Sequence, residues 1–110
     1  MGMGLLMVRA ELTDPGDRPA FDRWYGSEHL PDAFKIFRAN AAWRCWSETD
    51  PAVHYAFYEF GNVEAAQAVL GSDGMRGLIA EFDRAWGTRV RRSRDILHHV
   101  QSLSAKDAKG

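Results

Sequence analysis

The chain has 110 residues and a formal net charge of −1, with 45% hydrophobic residues, 12% aromatic residues and a single cysteine. That length gives one domain able to bury roughly two-thirds of its unfolded surface. One thiol excludes an internal disulfide framework and a cysteine zinc site, the charge balance gives no long-range field for nucleic acid or an anionic membrane, and no apolar run suits a secretion leader or a membrane span. The expected setting is the reducing cytoplasm.

Residues 4–12 place Leu6, Val8, Ala10 and Leu12 on one face and Leu5, Met7, Arg9 and Glu11 on the other. A period of two predicts a strand whose apolar face meets helices, while its second face, polar toward the end, suits a wet cavity or an interface. Asp14, Pro15 and Gly16 break the pattern. A helix follows, with Asp17 as its expected cap, Pro19 in its first turn, and Phe21, Trp24, Tyr25 and Leu30 on its apolar side. Gly26 weakens that helix by about 1 kcal/mol relative to alanine, and Pro31 disfavours helical backbone at the residue before it. The helix is therefore expected to end or bend near His29 and Leu30, with a further short helical turn over residues 32–38.

Residues 41–48 and 52–60 alternate again, which predicts two strands joined by the turn at Thr49, Asp50 and Pro51 into an antiparallel hairpin. Asn62 caps a predicted helix over 63–70, closed by Gly71. Ser72, Asp73 and Gly74 open another, in which Met75, Leu78, Ile79, Phe82 and Trp86 recur at helical spacing until Gly87 stops it. Residues 88–100 predict a last strand. Its alternation sends Arg89 and Arg91 to one face and Arg92 and Arg94 to the other, which fits a charge-protected edge or interface pairs better than a basic groove for nucleic acid. One domain over residues 1–101 and a flexible tail over 102–110 complete the expected organisation.

The order strand, helix, strand, strand, helix, strand predicts an α+β, ferredoxin-like βαββαβ fold: a four-stranded antiparallel sheet with both helices on one face. The two faces share Trp43, Trp46, Tyr55, Phe57, Tyr58 and Phe60, so the second face cannot stay in water. A second copy is the expected partner, giving a dimeric α/β barrel with a small-molecule cavity between facing sheets.

The run Phe21, Trp24, Tyr25, His29, Leu30, Pro31, with Phe60, Gly61, Asn62, Val63, Glu64 and Ala65 further on, resembles the EthD-like branch of the dimeric α/β-barrel superfamily over most of residues 5–100. The resemblance implies a small homodimer whose cavity serves, in different members, cofactor-free monooxygenases, polyketide cyclases, lactone isomerases, haem-degrading enzymes or proteins with no assigned activity. Residues 63–86 contain no histidine for a haem iron, which sets the haem branch aside.

The expected catalytic pair is His29, whose imidazole can move a proton near neutral pH, and Tyr25 one turn before it, whose phenol can hold a substrate oxygen. The plainer alternative for His29 is a histidine bonding carbonyls at a helix end. Arg9 is expected either at a wet rim or as the anchor for a carboxylate or phenolate, and Glu59, in the substrate-binding set, either as a base if buried beside Tyr55 and Phe57 or as a solvated strand end. Trp24 and Trp46 complete the expected substrate-binding set. His54 reads as exposed near the hairpin, His98 and His99 point to opposite faces, and no metal or cofactor is expected. The function so predicted is a cofactor-independent enzyme of cyclase, isomerase or monooxygenase type acting on a small aromatic or polyketide-like molecule. The alternative is a non-catalytic dimeric small-molecule-binding or accessory protein.

Overall fold

The alternation in residues 4–12 builds β1 (Gly4–Leu12), an inner strand of the sheet in the computed structural model, which describes residues 2–106. The chain continues through a 3-10 turn (Pro15–Asp17), α1 (Arg18–Trp24), a π-helical turn (Tyr25–His29) and α2 (Leu30–Phe37). The hairpin β2 (Ala41–Trp46) and β3 (Val53–Phe60) follows, then α3 (Val63–Leu70), α4 (Asp73–Ala85), a 3-10 turn (Gly87–Arg89) and β4 (Val90–His98). The four strands pair antiparallel in the order β2-β3-β1-β4, the ferredoxin-like arrangement that the element order predicts.

Register sorts the sheet into two faces. Leu6 lies opposite Tyr58 and Ile96, Ala10 opposite His54 and Arg92, and these residues share the face that packs under the helices. There Leu6, Ala10, Leu12, Ala56, Tyr58 and Phe60 join Phe21, Tyr25, Phe37, Ala66, Leu78, Phe82 and Trp86 in one buried core. The other face carries Leu5, Met7, Arg9, Tyr55, Phe57, Glu59 and Trp43, and among the described residues no helix packs over it.

Several local expectations change. The first helix does not end at Leu30: backbone helix runs unbroken from Arg18 to Phe37. Pro31 brings no N–H to the Ser27 carbonyl and its ring crowds that oxygen in a regular α-helix. The chain relieves this by widening, so that the Leu30 N–H donates to the Tyr25 carbonyl five residues back. Asp17 does not cap α1; Asp14 takes the capping role for the preceding turn by accepting from the Gly16 N–H at 2.9 Å, and Asp17 instead binds the Arg89 guanidinium at 2.9 Å. The second strand stops at Trp46 because the Ser47 hydroxyl accepts the Thr49 and Asp50 N–H groups and turns the chain. The last strand begins only at Val90, after Gly87 takes φ 55°.

No described helix is long and apolar enough to cross a membrane. Of the expected tail, residues 107–110 lie outside the described residues; before them the His99 N–H still donates to the Met3 carbonyl at 3.0 Å.

Candidate functional site

Tyr25 and His29 stand on the π turn and point between helix and sheet. Both are buried, at 1% and 7% exposure. His29 stacks on Trp24 at 4.8 Å with planes 18° apart, and meets the edges of Tyr25 at 4.8 Å and Phe82 at 5.4 Å. In a regular α-helix residues five apart point about 140° away from each other. The widened turn is what lets Trp24 reach His29 rather than Glu28.

From the sheet, β3 supplies two further groups to the same cluster. The Tyr58 hydroxyl lies 3.4 Å from the Tyr25 hydroxyl, and the His54 ring lies 4.5 Å from the Tyr25 ring. His54 is fully buried, which corrects its expected exposure. Its ring is covered by Phe21 at 5.3 Å and Trp46 at 4.9 Å, and Arg18 closes over Trp46 while donating to the Pro51 carbonyl. Trp46 in turn donates its indole N–H to Asp22 at 2.7 Å, and Asp22 binds Arg44 at 2.8 Å. Strand parity carried a signal for His54, since His54, Ala56, Tyr58 and Phe60 are alternate residues of one run.

Burial governs the protonation of these groups. It pulls both imidazoles down to about 4, helped by Arg92 near His29 and by Arg44 near His54. At neutral pH both rings are therefore uncharged. Burial also pushes the Tyr25 phenol up to about 12 and the Tyr58 phenol higher still, so both remain protonated donors. The Nδ1 atoms of His29 and His54 are buried without a hydrogen-bond partner. A buried polar atom in that condition is costly unless something fills it.

A cleft of ≈ 330 Å³ opens between α2 and β2, lined by Leu30, Pro31, Phe34, Ala41 and Ala42. That volume is at the small end of ligand sites. Of its lining residues, Leu30 follows His29 in the chain and Ala42 pairs with Tyr58 across the hairpin.

The structure thus brings Tyr25, His29, Trp24 and Trp46 together under the helices, and adds His54, Tyr58, Asp22, Arg44 and Arg92. It does not bring Arg9 or Glu59 to them. Both sit on the opposite face of the sheet, where Arg9 bonds Tyr55 and Glu11, the latter at 3.3 Å, and Glu59 pairs across to Leu5 and Ala41. Strand alternation forbids their side chains from entering the covered cluster. Among the described residues no group of three or more His, Cys, Asp or Glu is placed to hold a metal ion.

No protein-family model matches the sequence, and no curated protein matches it. Solved structures do match across nearly the whole chain. HapK from Hahella chejuensis shares 13% identity over 93% of this chain and 97% of that one, with a TM-score of 0.66. An ethyl tert-butyl ether D (EthD) family protein from Bacillus halodurans shares 17% over 87% and 99%, at 0.64. SnoaB, a cofactor-independent oxygenase from Streptomyces nogalater, shares 11% over 94% and 98%, at 0.62. At these identities the likeness is one of fold: the chain has the ferredoxin-like α+β architecture of an EthD family protein and of a cofactor-independent oxygenase.

Proposed function

We propose that the chain is a cofactor-independent enzyme that moves a proton on a small aromatic or polyketide-like molecule, with His29 as base and Tyr25 holding a substrate oxygen. The observation that carries this reading is the pair of uncharged, buried imidazoles whose Nδ1 atoms lack partners, set beside two protonated phenols. The ring-lined surroundings suit a flat apolar substrate that enters from the α2–β2 cleft. In the proposed step a C–H or O–H bond of the substrate breaks, the proton goes to an imidazole nitrogen of His29, and the electron pair stays behind on an enolate or phenolate. The phenols of Tyr25 and Tyr58 and the charges of Arg44 and Arg92 stabilise that oxygen anion. Ring closure, reprotonation elsewhere or attack on dioxygen can each follow the same first step, so cyclase, isomerase and monooxygenase outcomes share one site. The fold it shares with a cofactor-independent oxygenase supports the general kind of chemistry.

One observation favours a second reading, a binding or accessory protein without turnover. An imidazole held near 4 is a weak base, and it needs the bound anion to raise its affinity for a proton. Thermal-shift screening of aromatic and polyketide-like compounds, followed by turnover assays of those that bind, separates the two. The enzyme reading expects His29→Gln to keep binding and to lose about 10²–10⁴ in turnover. Turnover unchanged in that variant removes His29 as base, and binding with no turnover of any compound selects the accessory reading.

The proposal includes a homodimer closed through the open face of the sheet. Trp43 is 39% exposed there and stacks on Phe57 at 5.6 Å, and Tyr55 stacks on Phe57 in turn. Such a ring surface favours a second copy over water. Arg9 and Glu59 then belong to the interface rather than to the chemistry. Sedimentation as a monomer at micromolar concentration overturns the dimer.

A further inference from the structure

The charges around His54 dictate which of its nitrogens carries the proton. Arg44 Nη1 lies 3.5 Å from His54 Nε2. A guanidinium is always charged and has no acceptor, so the nitrogen facing it must offer a lone pair; an N–H there would set two positive ends against each other. The proton of the neutral ring is thereby sent to Nδ1. Arg44 cannot swing away freely, because Asp22 Oδ1 holds the same Nη1 at 2.8 Å and is itself fixed by the Trp46 indole N–H. Gly26 makes room for this arrangement, since a Cβ at that position would come 2.7 Å from Arg44 Nη2. The outcome is an N–H on a fully buried ring with nothing to receive it.

We propose that Arg44, held by Asp22, is a positioning residue that presents His54 Nδ1–H as a donor to the bound ligand, and that the ligand therefore offers an oxygen acceptor, a carbonyl or a deprotonated hydroxyl, on a small aromatic frame. The frame follows from the rings of Phe21, Tyr25 and Trp46 that surround His54 at 4.5 to 5.3 Å. Ala42 lines the cleft and pairs with Tyr58, and Ala56 lies between Tyr58 and His54 on the covered face of β3. The ligand class rests on the small-molecule site proposed above; the tautomer does not.

The test uses the full chain labelled with ¹⁵N at histidine. Long-range ¹H–¹⁵N imidazole spectra at neutral pH are expected to show His54 as the Nδ1–H tautomer, to show the same in Arg44→Lys, and to show Nε2–H populated in Arg44→Met. An Nε2–H tautomer in the wild type overturns the positioning role, and so does an unchanged spectrum in Arg44→Met; if that variant does not fold, the wild-type and Arg44→Lys spectra decide. Acetophenone and ethylbenzene, which differ only at the carbonyl, then probe the ligand class. Acetophenone is expected to bind about tenfold tighter, to move the His54 resonances, and to lose its advantage in Arg44→Met. Equal affinity, or no binding of either compound, overturns the acceptor assignment. Neither readout involves turnover, so a failure of the enzyme reading leaves both results interpretable.

Discussion

On the covered face of the sheet, His54, Tyr58, Tyr25 and His29 lie in a dry layer where two ring nitrogens lack partners and burial keeps the imidazoles uncharged. On the open face, Arg9 and Arg91 flank Glu11 at 3.3 and 3.9 Å, and the side chains of all three remain partly in water. The two faces belong to the same strands, separated by single residues. The contrast shows that access to water, rather than residue type, decides which polar groups carry energetic consequences: the exposed set can exchange partners with solvent, and the buried set cannot.

Acidification should break the contrast most strongly. A histidine near 6.5 unfolded and near 4 folded binds more protons in the unfolded state between those values, so stability rises with pH through that window and is lost as pH falls from about 6.5 to 4. Each imidazole is expected to contribute about 3 kcal/mol to that loss. Urea midpoints measured from pH 7 to pH 4.5 should fall steeply in the wild type and about half as steeply in His29→Phe; matching slopes would mean His29 is not buried uncharged.

Next comes Phe21→Ala, which removes a fully buried ring touching Trp24, Tyr25, Trp46, His54, Phe82 and Trp86. A loss of about 3–5 kcal/mol is expected in denaturant unfolding, and a loss below 1 would show that the layer repacks. Trp43→Glu on the open face should leave the far-ultraviolet spectrum unchanged while shifting the sedimentation coefficient from dimer to monomer. Arg9→Ala should do least, with the unfolding midpoint and any turnover both unaltered; a drop in turnover without loss of the dimer would return Arg9 to the site.

Much of the fold was legible because it is written in short periods. Alternation in residues 4–12 and 52–60 marked β1 and β3, and Asn62 and Ser72 marked two helix starts whose side chains do accept from Ala65 and Met75. The site was legible only in part. Tyr25 and His29 stand out as residues one turn apart, but the contact of Trp24 with His29 depends on the widened turn, and nothing local says whether a proline ends a helix, bends it or widens it. His54 was misplaced for a different reason: its position near the hairpin argued for water, and what buries it is Phe21, which arrives from another element. Arg9 was grouped with Tyr25 because the cavity was sought on the face that needed a partner, whereas the polar cluster lies on the face that already had one.

The π turn has one more effect, which concerns phase. The buried stripe of the long first helix reads Phe21, Tyr25, His29, Ala33, Phe37, a strict repeat of four. In a regular α-helix each such step overshoots a full turn by about 40°, so by Phe37 the stripe would have wound about 160° around the helix and away from the sheet. The wide turn at Tyr25–His29 sets the helix back midway, and both halves can then lie on the same surface. The wide turn holds one residue more than a regular turn, so deleting that residue would restore regular winding and leave α2 in the phase it has now. Regular winding with every residue kept would instead rotate α2 by about 100° and carry Ala33 and Phe37 off the core.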